Sequence, residues 1–99
     1  MFKEISDEDL LQKLREEFPK IPITLEEGPG RRRIFVGDRE YTQVAWDMSY
    51  RPAVAISKMI RKHLHELQKG SVVVRQASEG ALYYTYYLYK PTGRRLVQE

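Results

Sequence analysis

The sequence predicts an α+β domain: a helix, a three-stranded antiparallel meander, a long helix and a C-terminal β-hairpin, with the helices packed on one face of an antiparallel sheet. Three observations predict it. Apolar residues recur at helical spacing in two separate segments. Period-two alternation marks the segments around them, and residues 81–90 contain five tyrosines in ten positions. Ninety-nine residues with 41% apolar content suffice for one modest core, so residues 1–99 are read as a single domain.

The first helix has a nearly complete start signal. Ser6 is a suitable N-cap, Asp9 stands where a reciprocal cap would fall, and Ile5 and Leu10 have the spacing of a hydrophobic staple. Asp7, Glu8 and Asp9 complement the positive end of the helix dipole. Leu10, Leu11, Leu14 and Phe18 form the apolar stripe and Pro19 stops it, which places the helix at residues 7–18. Residues 21–27 then alternate Ile21, Ile23 and Leu25 with polar positions, as a half-buried strand does. Pro22 suits an edge or an entry position. Gly28-Pro29-Gly30 reads as a turn into a second strand over residues 31–36, and Gly37-Asp38 as a tight connection to a third over residues 39–43.

Asp47 or Ser49 is the expected cap of the long helix, with Pro52 tolerated in its first turn. Ala53, Ile56, Met59, Ile60, His63, Leu64 and Leu67 share one face of it. Lys58, Arg61, Lys62, His65 and Lys69 make the other face basic, and Gly70 ends it. Trp46 is expected as a core anchor between this helix and the sheet. The β-branched run Val72-Val73-Val74 and the tyrosine stretch form the two arms of a hairpin turning at Ser78-Glu79-Gly80. In that register Val74 opposes Tyr84 and Val72 opposes Tyr86. Val72, Val74, Leu82, Tyr84, Tyr86 and Leu88 then face the core, while Val73, Arg75, Tyr83, Thr85, Tyr87 and Tyr89 face the other way.

Composition narrows the function classes. With no cysteine, disulfides, thiolate nucleophiles and cysteine-ligated metals are excluded. The sequence contains no apolar run of spanning length and no signal-peptide layout, so a soluble cytoplasmic protein is expected. Asparagine is absent and arginine exceeds lysine, a balance that leans toward thermostability. The 17 basic and 14 acidic residues leave a net charge of only +3, but their placement is uneven. Residues 1–27 carry a net −4 and residues 28–99 a net +7, so the acidic first helix is a candidate internal mask for a basic surface.

Among possible sites, the tyrosine stretch is the most informative. Side chains alternate across a strand, so five tyrosines cannot all enter one core. A row of rings bordered by cations is how single-stranded nucleic acid is held, bases stacking on the rings and guanidinium groups meeting phosphates. The expected contacts are Tyr83, Tyr87 and Tyr89 for bases, with Arg75, Lys90, Arg94 and Arg95 and the basic tip Arg31, Arg32 and Arg33 for phosphates. Tyrosine and arginine also dominate protein interfaces, so a homodimeric interaction module or an accessory or inhibitor protein using the same face is the alternative.

No GxxxxGK loop, GxSxG elbow or HExxH pair occurs. His63 and His65, two apart on a helix, point away from each other and cannot chelate one metal. A metal-independent ribonuclease drawing its acid and base from those histidines is the remaining enzymatic reading. The expectation is therefore a non-enzymatic module for nucleic acid, single-stranded DNA or RNA, with low sequence specificity. It assigns no catalytic residue, metal or cofactor, and no membrane partner.

Overall fold

The computed structural model describes residues 5–67, 70–78 and 84–96. The elements, in chain order, are α1 (Asp7–Glu17), β1 (Ile23–Glu27), β2 (Arg33–Val36), β3 (Arg39–Ser49), α2 (Pro52–Lys62), α3 (Leu64–Leu67), β4 (Val72–Ser78) and β5 (Tyr84–Arg95). The strands form one five-stranded mixed sheet in the order β1-β4-β5-β3-β2. This α+β fold overturns the expected arrangement of meander, long helix and C-terminal hairpin on an antiparallel sheet.

The meander fails at β1. That strand does not neighbour β2 but lies at the opposite edge, parallel to β4, with Ile23 beside Val72 and Leu25 beside Val74. The reason is in β4: Val72, Val73 and Val74 are all buried, the signature of a strand covered on both faces and flanked on both sides. Alternation in residues 21–27 identifies a strand but carries no information about its partner. The long helix fails at His63, whose backbone leaves helical geometry with φ −113° and ψ 21°, so α2 and the short α3 are separate. Nor does Asp47 or Ser49 cap α2. Both belong to β3, and Ser49 Oγ instead accepts the Arg51 N–H at 2.8 Å.

β4 and β5 pair antiparallel, but four residues out of the expected register: Val74 faces Leu88 rather than Tyr84. A shift by an even number leaves every side chain on its expected face. Val72, Val74, Tyr86 and Leu88 accordingly meet Leu10 and Leu14 of α1 and Ile56, Met59 and Ile60 of α2 in the main core. Expected core residue Leu82 lies outside the described residues. At the start of α1, Ser6 Oγ accepts the Asp9 N–H at 3.2 Å, as the sequence predicts.

β3 extends six residues beyond the expected third strand because it contains a bulge. Gln43 faces Tyr89 and Ala45 faces Leu88, which leaves Val44 without a partner on β5. Val44 and Ala45 both pack toward the helices, and the alternation restarts one residue out of phase. Trp46 therefore falls on the face away from the helices, opposite Tyr87, and is 58% exposed. It is not the expected core anchor.

Because β1 and β2 occupy opposite edges, residues 28–32 must cross the whole sheet. Four strand spacings of about 4.8 Å make roughly 19 Å. The six steps from Glu27 to Arg33 reach only about 20 Å when extended. The connection therefore lies flat against the outer face as a strap. It is held strand by strand: the Gly28 N–H donates to the Gln76 carbonyl of β4 at 2.9 Å, the Arg31 N–H to Tyr89 Oη of β5 at 2.9 Å, and the Arg32 carbonyl accepts the Gln43 N–H of β3 at 2.9 Å. Under it sits a second, smaller core of Ile34, Tyr41, Val73 and Tyr89.

Candidate nucleic-acid interface

The outer face is the only one the helices leave to the tyrosines, and the strap determines which of them reach it. Tyr87 and Tyr89 do point to this face, opposite to Tyr86 and Leu88, while Tyr83 lies outside the described residues. Tyr89 is fully buried, and its hydroxyl caps the strap by accepting from Arg31. Tyr87 is half-buried. A Cβ added at Gly30 would stand 2.1 Å from Tyr87 Cε1, so only glycine lets the strap lie this close to the ring.

The cations divide in a similar way. Arg75, on β4, is part-buried and donates from Nη1 to the Pro29 carbonyl at 3.1 Å, which makes it an anchor of the strap. Lys90 points to the helix side, where its ammonium meets Glu66 Oε2 at 2.8 Å. Arg31, Arg32 and Arg33 are exposed, and their guanidinium groups have no partner among the described residues. Arg94 and Arg95 are exposed at the far end of β5, where Arg95 Nη1 comes within 3.9 Å of Asp38 Oδ2. The structure thus carries Arg31 and Arg32 on the strap that passes over Tyr87 at Gly30, places Arg33 at the start of the adjoining edge strand, uses Tyr89 and Arg75 internally, and separates Lys90 from the rest by the thickness of the sheet.

Trp46 is the residue missed by sequence reasoning. It stands across the ladder from Tyr87, with Met48, 48% exposed, two residues further along β3. Nothing in the local sequence signals this, because no glycine or proline marks the bulge at Val44. The patch is an indole and part of a phenol ring, with the cationic strap beside them. It offers flat apolar surface for stacking and exposed guanidinium donors for anions. The chain matches no known protein family, no curated protein and no solved structure.

The helix side shows a different use of charge. α1 packs against β1 and α2, with Glu17 accepting from Ser57 Oγ at 2.9 Å and pairing with Arg61. The acidic helix therefore meets the basic helix and leaves Arg31, Arg32 and Arg33 uncovered. His63 Nδ1 lies 3.2 Å from Glu66 Oε1, on the helix side and away from the strap. Among the described residues no group of three or more His, Asp or Glu side chains is placed to hold a metal ion. No helix among them is long and apolar enough to cross a membrane.

Tyr86 is the buried counterpart of Tyr89. Its ring is fully covered by the helix-side core, and its hydroxyl has no hydrogen-bond partner among the described residues. Burial pushes the Tyr86 phenol well above the ordinary tyrosine range, with smaller contributions from Tyr84 and Asp7.

Proposed function

We propose that this protein is a non-enzymatic binding module for single-stranded nucleic acid with low sequence specificity. Trp46, joined by the uncovered part of Tyr87, stacks bases, while Arg31, Arg32 and Arg33 meet the phosphates. The observation that carries the reading is the position of Trp46: a half-exposed indole directly across from Tyr87, on the face that the unpaired arginines of the strap cross. Relative to the sequence expectation, the stacking role moves from the buried Tyr89 to the tryptophan, and Arg75 becomes a support.

The test is fluorescence anisotropy with labelled single-stranded and duplex DNA and RNA at two salt concentrations. Single strands are expected to bind more tightly than duplex, with affinity falling steeply as salt rises. Trp46→Ala should cost about 1–3 kcal/mol of binding. Unchanged affinity in that variant removes the reading.

A second reading, a protein-interaction module, is favoured by Met48. It lies exposed beside Trp46, where it adds apolar surface without serving phosphate or base. A dimer seen by light scattering and abolished by Trp46→Ala, together with no binding to any oligonucleotide, would establish it.

A further inference from the structure

The far end of the β3–β5 ladder carries three arginines in one small recess. Arg39 and Arg95 are directly opposed across the two strands. Like charges at such a position destabilise a sheet unless something neutralises them. The acidic groups nearby do so only in part. Asp38 approaches Arg95 at 3.9 Å, the outer limit of an ion pair. Glu40 is 7% exposed, and its Oε1 is occupied by the Thr92 hydroxyl at 2.8 Å. Neither Arg39 nor Arg94 has a carboxylate partner among the described residues.

A backbone irregularity brings the third arginine in. Between Tyr41↔Pro91 and Arg39↔Arg95 the ladder slips, so that β5 carries two residues more than β3. Gly93 takes up the excess with φ +90°, a conformation that favours glycine, and the Arg94 N–H donates to Thr92 Oγ1 at 3.2 Å. The result is a recess of about 210 Å³ lined by Arg39, Glu40, Pro91, Gly93, Arg94 and Arg95. That is smaller than the roughly 300–1,000 Å³ of pockets that enclose drug-sized ligands, so it suits a small anionic group rather than a nucleoside.

We propose that this recess binds a phosphate monoester through the guanidinium groups of Arg39, Arg94 and Arg95. Guanidinium forks match phosphate oxygens in geometry, and three of them can surround one group. Three cations face the carboxylate of Glu40 and, at the edge of the recess, that of Asp38, which at 3.9 Å offsets Arg95 only in part, so a positive excess of between one and two charges remains. A monoester, with a charge of about −1.5 to −2 at neutral pH and three free oxygens, offers one acceptor to each of the three guanidinium groups, whereas a phosphodiester has one charge and two free oxygens. The source of the monoester rests on the proposed function: the terminal phosphate of a nucleic-acid strand, with free inorganic phosphate as the other supplier of the same chemistry.

Two measurements on the full chain separate the site from its source. In an NMR titration with inorganic phosphate, the side-chain Nε–H signals of Arg39, Arg94 and Arg95 should shift together and saturate, and Arg39→Gln should weaken that binding at least fivefold. By anisotropy, a 5′-phosphorylated single strand should bind at least fivefold more tightly than its 5′-hydroxyl counterpart, and Arg39→Gln should erase the difference. Saturable phosphate shifts with no binding of either oligonucleotide would uphold the recess, assign it to free phosphate, and defeat the proposed function. Equal binding of the two oligonucleotides, with no saturable shift at the three arginines, would overturn the recess and leave the proposed function standing.

Discussion

The two faces of the sheet bury the same kind of residue by different means. On the helix side Tyr86 is enclosed by Leu10, Leu14 and the apolar stripe of α2, a broad contact made of side chains. On the outer side Tyr89 is equally inaccessible, but beside Ile34, Tyr41 and Val73 in a small apolar cluster its hydroxyl is closed off by the backbone of the five-residue strap. The helix cover rests on apolar area and leaves the Tyr86 hydroxyl without a partner, whereas the strap has little apolar surface to give and is fixed by directional hydrogen bonds to each strand it crosses. Burial can therefore mean a robust core in one place and a specific latch in another.

Substitutions can test that contrast, beginning with the largest effect. Ile60→Ala, which opens a cavity in the fully buried helix-side core, should cost about 2–5 kcal/mol by chemical denaturation. Gly30→Ala forces a methyl group into the Tyr87 ring and should cost about 1–3 kcal/mol, with faster hydrogen exchange in the strap than in α2. If Gly30→Ala leaves stability and exchange untouched, the strap is not a tight cover and the two faces do not differ as described.

The most direct comparison is between two deletions of a single oxygen. Tyr89→Phe removes the acceptor of the Arg31 N–H and should cost about 1–2 kcal/mol, while Tyr86→Phe removes a hydroxyl with no partner and should be neutral or stabilising by up to about 1 kcal/mol. Equal losses from the two would erase the distinction between core and latch.

The smallest effect concerns the ion pair behind the sheet. The Lys90 ammonium, and next His63, hold the Glu66 carboxyl below its ordinary value of 4.5. A carboxyl with a depressed folded value contributes stability that is present above the unfolded value and is lost as pH falls through the lower folded one. Glu66→Gln should therefore flatten the acid side of the stability profile slightly, leaving the strap's exchange unchanged.

What was legible in the sequence was local. Ser6 and the stripe Leu10, Leu11, Leu14 and Phe18 specify α1 within one short segment, and alternation separates Tyr84 and Tyr86 from Tyr87 and Tyr89 whatever the register. What was not legible depended on residues far apart. The partner of Ile23 is Val72, and no feature of either neighbourhood names the other. At Val44 a single unpaired residue reverses the orientation of all that follows in β3, which moves Trp46 from an expected core to an exposed face. The candidate site divides in the same way: Arg31, Arg32 and Tyr87 stand out as candidates in the sequence itself, but the indole opposite Tyr87 and the recess around Arg39 follow from two irregularities in one ladder.

The pairing of β1 with β4 also sets an order of assembly. Ile23 and Val72 are 49 positions apart, so β1 has no partner until α2, α3 and β4 have followed it. The strap cannot settle until β5 has supplied Tyr87 and Tyr89. Such non-local pairing slows folding and leaves an unpaired strand exposed meanwhile. On a growing chain, residues 23–36 would wait in that condition. Glu26 and Glu27 before the strap, and Arg31, Arg32 and Arg33 at its end, interrupt the apolar run of this segment with charge of both signs. Charges so placed restrain a nascent strand from pairing with another chain. The arginines proposed to meet phosphate in the finished protein would thus first serve as guards of its synthesis.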